Sequence, residues 1–163
     1  MIKFTIVTIT YNAADVFMRT ADSVARQTYA AVEHLIIDGA SSDGTQNMAE
    51  EYKKASDAAC NGHEVRIISE PDKGLYDAMN KGRRLATGDY VCFLNAGDFF
   101  PSADTLAVIA ANARLEECSS EGKPLPGVLY GDTDWVDNDG NYMSRRRLTP
   151  VSYTHLTLPT NRE

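Results

Sequence analysis

Residues 4–12 read FTIVTITYN, a short apolar run that ends in polar residues, and this pattern decides the fold. Comparable apolar runs follow at residues 34–37, 65–68, 90–94 and 128–130. Most of these runs are nearly continuous in apolar side chains rather than alternating, which is typical of strands that are buried on both faces. The pattern therefore predicts five strands of a mostly parallel sheet.

Helical patterns lie between these runs, because apolar side chains recur there at the spacings of one helix face. The four groups are Phe17, Ala21 and Val24; Met48, Tyr52 and Ala55; Leu75, Met79 and Ala86; and Leu106, Ile109, Ala110 and Ala113. Asn12 precedes the first helix, and Asp43 with Gln46 resembles a capping box before the second. The alternation of strands and helices predicts an α/β fold with right-handed crossovers, whose four-strand core ends near residue 117.

Composition and charge narrow the class of protein. A chain of 163 residues is long enough for one domain that needs no disulfide or structural metal. Its formal net charge of −7 argues against nucleic acid as a partner. The three cysteines (Cys60, Cys92 and Cys118) are odd in number and widely spaced, which favours a reducing compartment such as the cytoplasm. No apolar run reaches the ~18–20 residues that span a bilayer. The N-terminus leads directly into a strand, so we expect no signal peptide.

Polar residues follow each of the first four runs. They read TYN at residues 10–12, DGASSDGT at 38–45, SEPDKG at 69–74 and NAGD at 95–98. In a parallel sheet these loops all lie at the carboxyl edge, where open α/β sheets bind their ligands. Each loop alone is equally well explained as a turn or a helix cap. Several acidic groups at one edge, however, repel each other unless a cation is bound there.

Several kinds of site are excluded by missing motifs. The chain has no GxGxxG after its first strand, no GxxxxGK[ST] and no GxSxG, so a dinucleotide dehydrogenase, a P-loop NTPase and a serine hydrolase are disfavoured. The groups that the polar loops still offer to a ligand are carboxylates, amides and an aromatic ring. This set suits a sugar nucleotide whose diphosphate shares Mg²⁺ or Mn²⁺ with a carboxylate, since these cations prefer oxygen ligands and stabilise the charge of a departing nucleoside diphosphate.

The sequence also resembles a known family. Residues 8–12 (TITYN) and 23–29 (SVARQTY) look like the opening of the family-2 glycosyltransferases of the GT-A fold, and three further blocks match in order at residues 33–45, 69–82 and 86–98. The resemblance implies a Rossmann-like GT-A fold, with a mostly parallel sheet flanked by helices. It implies transfer of a sugar from a nucleotide-diphosphate donor such as a UDP-sugar, with inversion as the family expectation. The acceptor would be a saccharide or a lipid-linked molecule, as in bacterial polysaccharide biosynthesis, with peripheral association of the intact protein at the inner face of the membrane.

The resemblance implies a nucleotide-base pocket at the ends of the first two strands. Thr10, Tyr11 and Asn12 would line this pocket, partly through backbone groups. Asp38 would accept a hydrogen bond from the base, and Asp43 would shape the loop or cap its helix. Core packing is the alternative role for Tyr11. Many family members carry two adjacent acids where this chain has Asp38 followed by glycine, so the base contact rests on one carboxylate.

The resemblance implies diphosphate, sugar and cation contacts in the later blocks. Lys73 lies where a positive side chain meets the diphosphate, and Asp77 and Asn80 would face the donor sugar. Asp98 matches the last acid of the family's Asp-x-Asp-like motif and is the expected metal ligand. A glycine stands where many members carry a second acid, so either Asn95 would add an oxygen contact or water would fill the gap. The alternatives are helix-start roles for Asp77 and Asn80 and a cap role for Asp98.

The catalytic base of an inverting transfer must take the proton of the acceptor hydroxyl. Family members carry it later in the chain, so we assign no residue. Asp132 and Asp134 are conceivable, but a loop or hairpin role fits them better, because residues 138–141 (NDGN) resemble a hairpin turn. The acceptor half is therefore expected to be incomplete, and the chain to bind its donor without turnover.

The last residues have an unusual composition. Residues 151–160 read VSYTHLTLPT, which resembles the conceptual translation of a sequencing adapter. We therefore expect a nucleotide-sugar-binding domain over residues 1–149 and a non-native tail over residues 150–163. The alternative for the tail is a threonine-rich strand.

Two other functions are compatible with a metal-dependent α/β domain. A nucleotidyltransferase usually has a glycine-rich loop with Arg and Lys after the first strand, which residues 10–14 (TYNAA) do not form. A non-catalytic nucleotide-binding or phospho-acceptor module would use Asp38 as its acceptor. Such a receiver domain needs a further pair of acids at the end of the first strand, where this chain has Tyr11 and Asn12.

Overall fold

The computed structural model describes residues 1–137 and 140–147, so the expected tail at residues 150–163 lies outside the described residues. The chain divides into two compact units, Met1–Pro126 and Gly127–Glu163. No helix within the described residues is long and apolar enough to cross a membrane.

The first unit is a four-stranded parallel sheet flanked by helices. Its strand order is β3-β2-β1-β4, and every neighbouring pair is parallel. The elements are β1 (Phe4–Thr10), α1 (Phe17–Ala25), β2 (Val32–Asp38), α2 (Thr45–Ala59), β3 (His63–Ser69), α3 (Leu75–Leu85), β4 (Tyr90–Phe93), α4 (Thr105–Asn112) and α5 (Leu115–Ser120). The first four predicted strands and the four predicted helices are confirmed. The unit continues beyond residue 117, because α5 and the residues up to Pro126 belong to it.

The sheet has an apolar cluster on each face. On one face, α1 and α2 pack on the sheet through a cluster that includes Phe17, Ile36 and Tyr52. On the other face, α3 packs on Val7 and Ile37. Since side chains of successive strand residues point to opposite faces, strands with helices on both sides must be apolar at nearly every position. This explains the continuous apolar runs.

The fifth predicted strand is wrong. Residues 128–130 form no strand, and the side chains of Val128 and Tyr130 are 77% and 56% exposed. A strand of apolar residues is stabilised by burial against a neighbouring strand or helix, and these residues lack that burial. The apolar side chains alone were therefore a misleading signal.

The second unit contains a β-hairpin. Its strands β5 (Thr133–Val136) and β6 (Tyr142–Arg146) are antiparallel. The Asp134 carboxylate pairs with Arg145 across the two strands at 2.6 Å. The predicted hairpin is confirmed, although residues 138 and 139 of its turn lie outside the described residues.

Candidate functional site

The strand order reverses at β1, which has β2 on one side and β4 on the other. Such a reversal marks the crevice in which open α/β sheets bind ligands, at the carboxyl ends of the strands. The last residues of three strands lie side by side there, because Thr10 pairs with Asp38 and Asp38 pairs with Ser69. The Ala96 N–H donates to the Ile9 carbonyl at 3.1 Å, so the segment after β4 reaches the same level. The four polar loops therefore share one edge.

Asp38 is the most buried acid at this edge. Its side chain is 1% exposed, and Oδ2 accepts hydrogen bonds from the Ser41 N–H at 3.0 Å and the Ser69 hydroxyl at 2.6 Å. The Ser41 hydroxyl also donates to Oδ1. A carboxylate has about four acceptor positions, so three protein donors leave capacity for about one more. Burial behind these donors disfavours Asp38 as a phospho-acceptor, whereas a single hydrogen bond to a base stays a prediction.

Asn12 and Asp43 join the first two loops. Asn12 has left-handed backbone geometry (φ 47°), and its Oδ1 accepts the Ser42 N–H at 2.9 Å. Asp43 accepts the Ala14 N–H at 3.0 Å and the Thr45 N–H at 3.0 Å. Hydrogen bonds from the Thr45 hydroxyl and the Ala14 N–H hold the pKa of Asp43 below its usual range.

The predicted cap positions differ from the structure. α1 begins only at Phe17, after a capping position at Val16, so Asn12 does not cap this helix. Gly44 occupies the capping position of α2, so Asp43 and Gln46 form no capping box, although Asp43 binds the first backbone N–H of this helix. Both errors have the same cause, because hydrogen bonds between the two loops compete with helix capping. The side chain of Asn12 accepts the Ser42 N–H, and that of Asp43 accepts the Ala14 N–H.

Tyr11 and Asp72 meet above Gly39. A Cβ atom at Gly39 would lie 3.2 Å from Cδ2 of Tyr11 and 2.9 Å from Oδ2 of Asp72, so both side chains lie beside this glycine. The Tyr11 side chain is 66% exposed, which excludes the alternative of core packing. The carbonyl of Thr10 accepts the Gly39 N–H at 2.9 Å. The buried hydroxyl of Thr10 has no hydrogen-bond partner among the described residues.

The loop before α3 places the next group of predicted residues. Asp77 accepts the Lys73 N–H at 3.0 Å, and Asp72 accepts the Gly74 N–H at 2.8 Å. Asp77 thus has a helix-start role, which was the alternative prediction for it. The side chains of Lys73 and Asn80 are exposed.

Asp98 lies in a separate hydrogen-bonded group on the same edge. The side chains of Asn95 and Asp98 are exposed, and the Asp98 N–H donates to the Asn95 carbonyl at 2.9 Å. Gly97 lies between them and has a backbone φ angle of +100°, which residues other than glycine rarely adopt. The buried Thr20 hydroxyl accepts the Gly97 N–H at 2.9 Å and donates to the Asp98 carbonyl at 2.7 Å. The structure thus directs the backbone of Asp98 inward and leaves its carboxylate in solvent.

Sequence reasoning missed two residues of this edge, Asp72 and Thr20. Asp72 lies within the acidic loop at residues 69–74, so its position at the edge was predictable but its contact with Gly39 was not. Thr20 lies within the helical pattern of α1, of which only the apolar positions were considered.

The part of the chain that contains this edge is similar to known proteins. Residues 5–151 match the family model of Glycosyl transferase family 2. The chain belongs to this family. A PGL/p-HBAD biosynthesis glycosyltransferase from Mycobacterium bovis is 42% identical over 129 residues, which cover 79% of this chain and 46% of that relative. The chain thus spans about half the length of this curated relative.

Solved structures share the fold of this family-2 chain. The mannosyltransferase PcManGT from Pyrobaculum calidifontis, in complex with GDP-Man and Mn²⁺, has a TM-score of 0.57 at 28% identity, over 65% of this chain and 30% of that one. The structure of S. aureus TarS has a TM-score of 0.59 at 23% identity, over 71% of this chain and 20% of that one. The predicted GT-A fold is therefore confirmed.

The donor atoms of Asn95 and Asp98 fit a divalent cation that is bound together with its substrate. Both side chains offer oxygen, the ligand atom that Mg²⁺ and Mn²⁺ prefer. Across residues 1–137 and 140–147, no group of three His, Cys, Asp or Glu side chains could hold a metal ion by itself. One carboxylate supplemented by phosphate oxygens and water is a common arrangement for Mg²⁺. These residues fit a cation that substrate phosphates complete, and do not fit a closed protein cage.

Proposed function

We propose that the intact protein is a glycosyltransferase that moves a sugar from a nucleotide-diphosphate donor, in the first instance a UDP-sugar, to a saccharide or lipid-linked acceptor with inversion. The observation that carries the proposal is the family match over residues 5–151, combined with an exposed Asp98 on the same sheet edge as Tyr11 and Asp38. The complex of PcManGT with GDP-Man and Mn²⁺ supports a nucleotide-sugar donor and a divalent cation.

In this proposal the base of the donor binds above Gly39. The exposed Tyr11 ring stacks on the base, Asp38 accepts a hydrogen bond from the single N–H of uracil, and Asp72 flanks the base beside Gly39. Thr10, Asn12 and Asp43 hold the loops that form the walls of this site. The support is geometric, since the Tyr11 ring and the Asp72 carboxylate converge on one glycine.

The diphosphate and sugar lie between this base site and the loop of Asp98. The exposed Lys73 ammonium offsets phosphate charge, which a chain of net charge −7 otherwise repels. Asp98, with Asn95, would hold Mg²⁺ or Mn²⁺ when the donor is bound, and the chemistry that this cation would supply is stabilisation of the negative charge on the departing nucleoside diphosphate. Asn80 and the helix start at Asp77 face the sugar.

The catalytic base stays unassigned. The Arg145 guanidinium, which bonds to Asp134, holds the pKa of that carboxyl below its usual range, so Asp134 is a weak proton acceptor. The family relative is about twice as long as the matched segment. We therefore propose that the base belongs to the acceptor half of the intact protein, and that this chain binds the donor without turnover.

We place the protein in the cytoplasm, with peripheral association at the inner face of the membrane where a lipid-linked acceptor would lie. The three free cysteines are consistent with a reducing compartment.

Isothermal titration of UDP with and without Mn²⁺ tests the proposal. We expect Mn²⁺ to strengthen UDP binding, and Asp98→Asn to weaken the Mn²⁺-dependent binding about tenfold, the scale of one lost charge-assisted contact. Asp57→Asn is the matched control, because Asp57 is an exposed acid on α2 that pairs with Lys53 in an i,i+4 ion pair. Equal affinities of Asp98→Asn and the wild type would remove Asp98 from the site.

Thermal-shift measurements with UDP, GDP and CTP separate the proposal from a nucleotidyltransferase, for which CTP would stabilise the chain most.

A further inference from the structure

Three buried polar side chains on and just after α1 face the segment that carries Asp98. Thr20 is 0% exposed, Ser23 is 2% exposed and Gln27, which follows the end of α1, is 5% exposed. Their spacing of three and four residues places them along one side of the helix. Buried polar groups are costly unless they are hydrogen-bonded, so a row of three on an otherwise apolar face requires partners. We call Thr20, Ser23 and Gln27 the α1 polar row.

The α1 polar row holds successive points of residues 97–106. The Gln27 amide donates to the Ser102 carbonyl at 2.7 Å and accepts the Leu106 N–H at 3.0 Å, near the start of α4. The Ser23 hydroxyl accepts the Phe100 N–H at 3.2 Å. Each member of the row therefore binds backbone groups of a segment that lies more than seventy residues further along the chain.

Thr20 is the member of the row that holds Asp98 itself. Its hydroxyl accepts from the N–H of the preceding residue, Gly97, and donates to the carbonyl of Asp98. These two bonds lie on either side of the peptide that joins the two residues, so they constrain the backbone angles that aim the Asp98 side chain. On the sheet side, the Leu94 N–H donates to the Val7 carbonyl at 3.0 Å, which fixes the start of the loop.

We propose that Thr20 is a positioning residue, which aims the Asp98 carboxylate toward the cation and the donor diphosphate, and that Ser23 and Gln27 fix the segment behind it. This role rests on the proposed function, because it assumes that Asp98 binds a donor-shared cation. A carboxylate that is exposed to solvent but attached to a backbone held by buried groups needs little reorganisation on binding, which is the usual requirement for a preorganised site.

Thr20→Val tests this role, because valine keeps the shape of threonine and removes every hydrogen bond of its hydroxyl. We expect the Mn²⁺-dependent gain in UDP affinity to fall roughly tenfold, at the lower end of the loss seen when outer-shell partners of a metal site are removed. UDP affinity without Mn²⁺ should stay unchanged. Thr20→Ser keeps the hydroxyl and should restore the gain to within about twofold of the wild type, a change of only ~0.4 kcal/mol.

A matched control lies at the other end of the sheet. Thr5 is equally buried, and its hydroxyl also makes one donated and one accepted bond, to Glu33 at 2.6 Å and from the Gly88 N–H at 2.8 Å. Thr5→Val should lower stability as Thr20→Val does but leave the Mn²⁺-dependent gain unchanged. If both variants lose the gain equally, the effect is one of general stability and the positioning role is wrong.

A second measurement needs no ligand. Hydrogen exchange of the Gly97 amide, followed by NMR in the full chain, should be faster in Thr20→Val and as slow as wild type in Thr20→Ser. If Thr20→Val does not fold, Ser23→Ala replaces it, with faster exchange of the Phe100 amide and a loss of about twofold in the Mn²⁺-dependent gain, or ~0.4 kcal/mol.

The outcomes separate this inference from the proposed function. A wild-type chain that gains no UDP affinity from Mn²⁺ overturns both. A wild-type chain that gains affinity, and loses it in Asp98→Asn but keeps it in Thr20→Val, overturns only the role of Thr20. Unchanged exchange of Gly97 in Thr20→Val likewise overturns the role of Thr20.

Discussion

The two edges of the parallel sheet carry polar side chains of the same kinds but use them differently. At the amino edge, the Glu33 carboxylate is fully buried and accepts hydrogen bonds from the Thr5 hydroxyl at 2.6 Å and the Thr87 N–H at 2.9 Å. Arg66 donates to its other oxygen at 2.6 Å and also to the Leu85 carbonyl. Buried charge is tolerated only with such a complete set of partners. Both oxygens of the buried Glu33 carboxylate therefore have partners within the protein.

At the carboxyl edge, the corresponding network is open. Asp38 is buried and bonded to protein groups, much as Glu33 is, but Tyr11 and Asp98 around it are exposed. The backbone of Asp98 is held by Thr20, while the side chains of Tyr11 and Asp98 remain available to a ligand. A cluster of polar residues therefore indicates a ligand site only when part of its bonding capacity faces solvent, and the comparison can be tested by changing each edge separately.

The largest expected effect is at the amino edge. Glu33→Gln removes the counter-charge of Arg66 and places an amide N–H₂ among hydrogen-bond donors, so we expect the free energy of unfolding to fall by about 3 kcal/mol. Urea unfolding measures this loss. UDP affinity of the folded chain should not change, because the amino edge lies at the opposite end of the strands from the proposed donor site.

Glu64→Gln serves as the control for that loss. Glu64 pairs with Lys3 at 3.0 Å, but its side chain is 55% exposed, so its removal should cost less than about 1 kcal/mol. Similar losses of stability for Glu33→Gln and Glu64→Gln would show that the hydrogen bonds and ion pair of Glu33 stabilise the fold no more than a surface ion pair does. A loss of UDP affinity in Glu33→Gln would show that the two edges are coupled.

Between the two edges, the buried His34 gives a pH-dependent effect of intermediate size. Burial, with a smaller contribution from the charge of His63, lowers its pKa to about 3 from an ordinary value of 6.5. Its ring nitrogens bond to the Thr8 hydroxyl at 2.9 Å and the Tyr52 hydroxyl at 2.8 Å. The unfolded chain takes up a proton at His34 below about pH 6.5, but the folded chain does not until about pH 3, so stability is full above pH 6.5 and falls as the pH drops through this window.

Between pH 6.5 and 5, this uptake should remove on the order of 2 kcal/mol, at up to ~1.4 kcal/mol per pH unit. Acidic residues with lowered pKa values contribute mainly below that range, which isolates the histidine. Urea unfolding of the wild type and of His34→Gln at several pH values measures the difference. The variant should be less stable throughout but nearly independent of pH in this window; parallel curves for the two proteins would contradict the assignment to His34.

The sequence predicted the fold well where burial imposes a pattern. Strands β1 and β2 are buried at every position, so runs such as residues 34–37 stand out without any knowledge of their neighbours. The same signal failed at residues 128–130, because an apolar run does not reveal whether a partner strand exists. Strand bounds also differed by a residue or two, since pairing continues into polar residues such as Asp38 and Ser69.

The site was predictable only as far as topology determines it. Parallel strands bring their carboxyl ends to one edge, so loops such as residues 95–98 could be placed together from the sequence. The contacts of Thr20 with Gly97 and of Asp72 with Gly39 join residues from different loops and helices. No local pattern encodes such contacts, because they depend on how α1 and the loop before α3 pack after the sheet has formed.

The smallest expected effect on stability, and the most specific one on binding, is at Gly39. Gly39→Ala places a methyl group 2.9 Å from the Asp72 carboxylate and 3.2 Å from the Tyr11 ring, and both side chains can move aside. We expect less than about 1 kcal/mol of lost stability, since flexible side chains relieve the overlap. UDP affinity should fall about tenfold, a loss of ~1.4 kcal/mol, because the two groups proposed to hold the base are displaced.

Gly88→Ala makes the same change at the amino edge and completes the comparison. Its methyl group would lie 2.7 Å from the Lys3 carbonyl oxygen and 2.7 Å from the Thr5 nitrogen, which are backbone atoms of the sheet and cannot move aside. Stability should therefore fall by roughly 1–3 kcal/mol while UDP affinity is kept, the reverse of the result at Gly39. Gly131→Ala should change neither property, because no described residue other than its chain neighbours would have an atom within 4 Å of the new methyl group. If Gly39→Ala bound UDP as tightly as Gly131→Ala, the base would not bind above Gly39, and the exposed side chains at the carboxyl edge would have to serve another part of the donor.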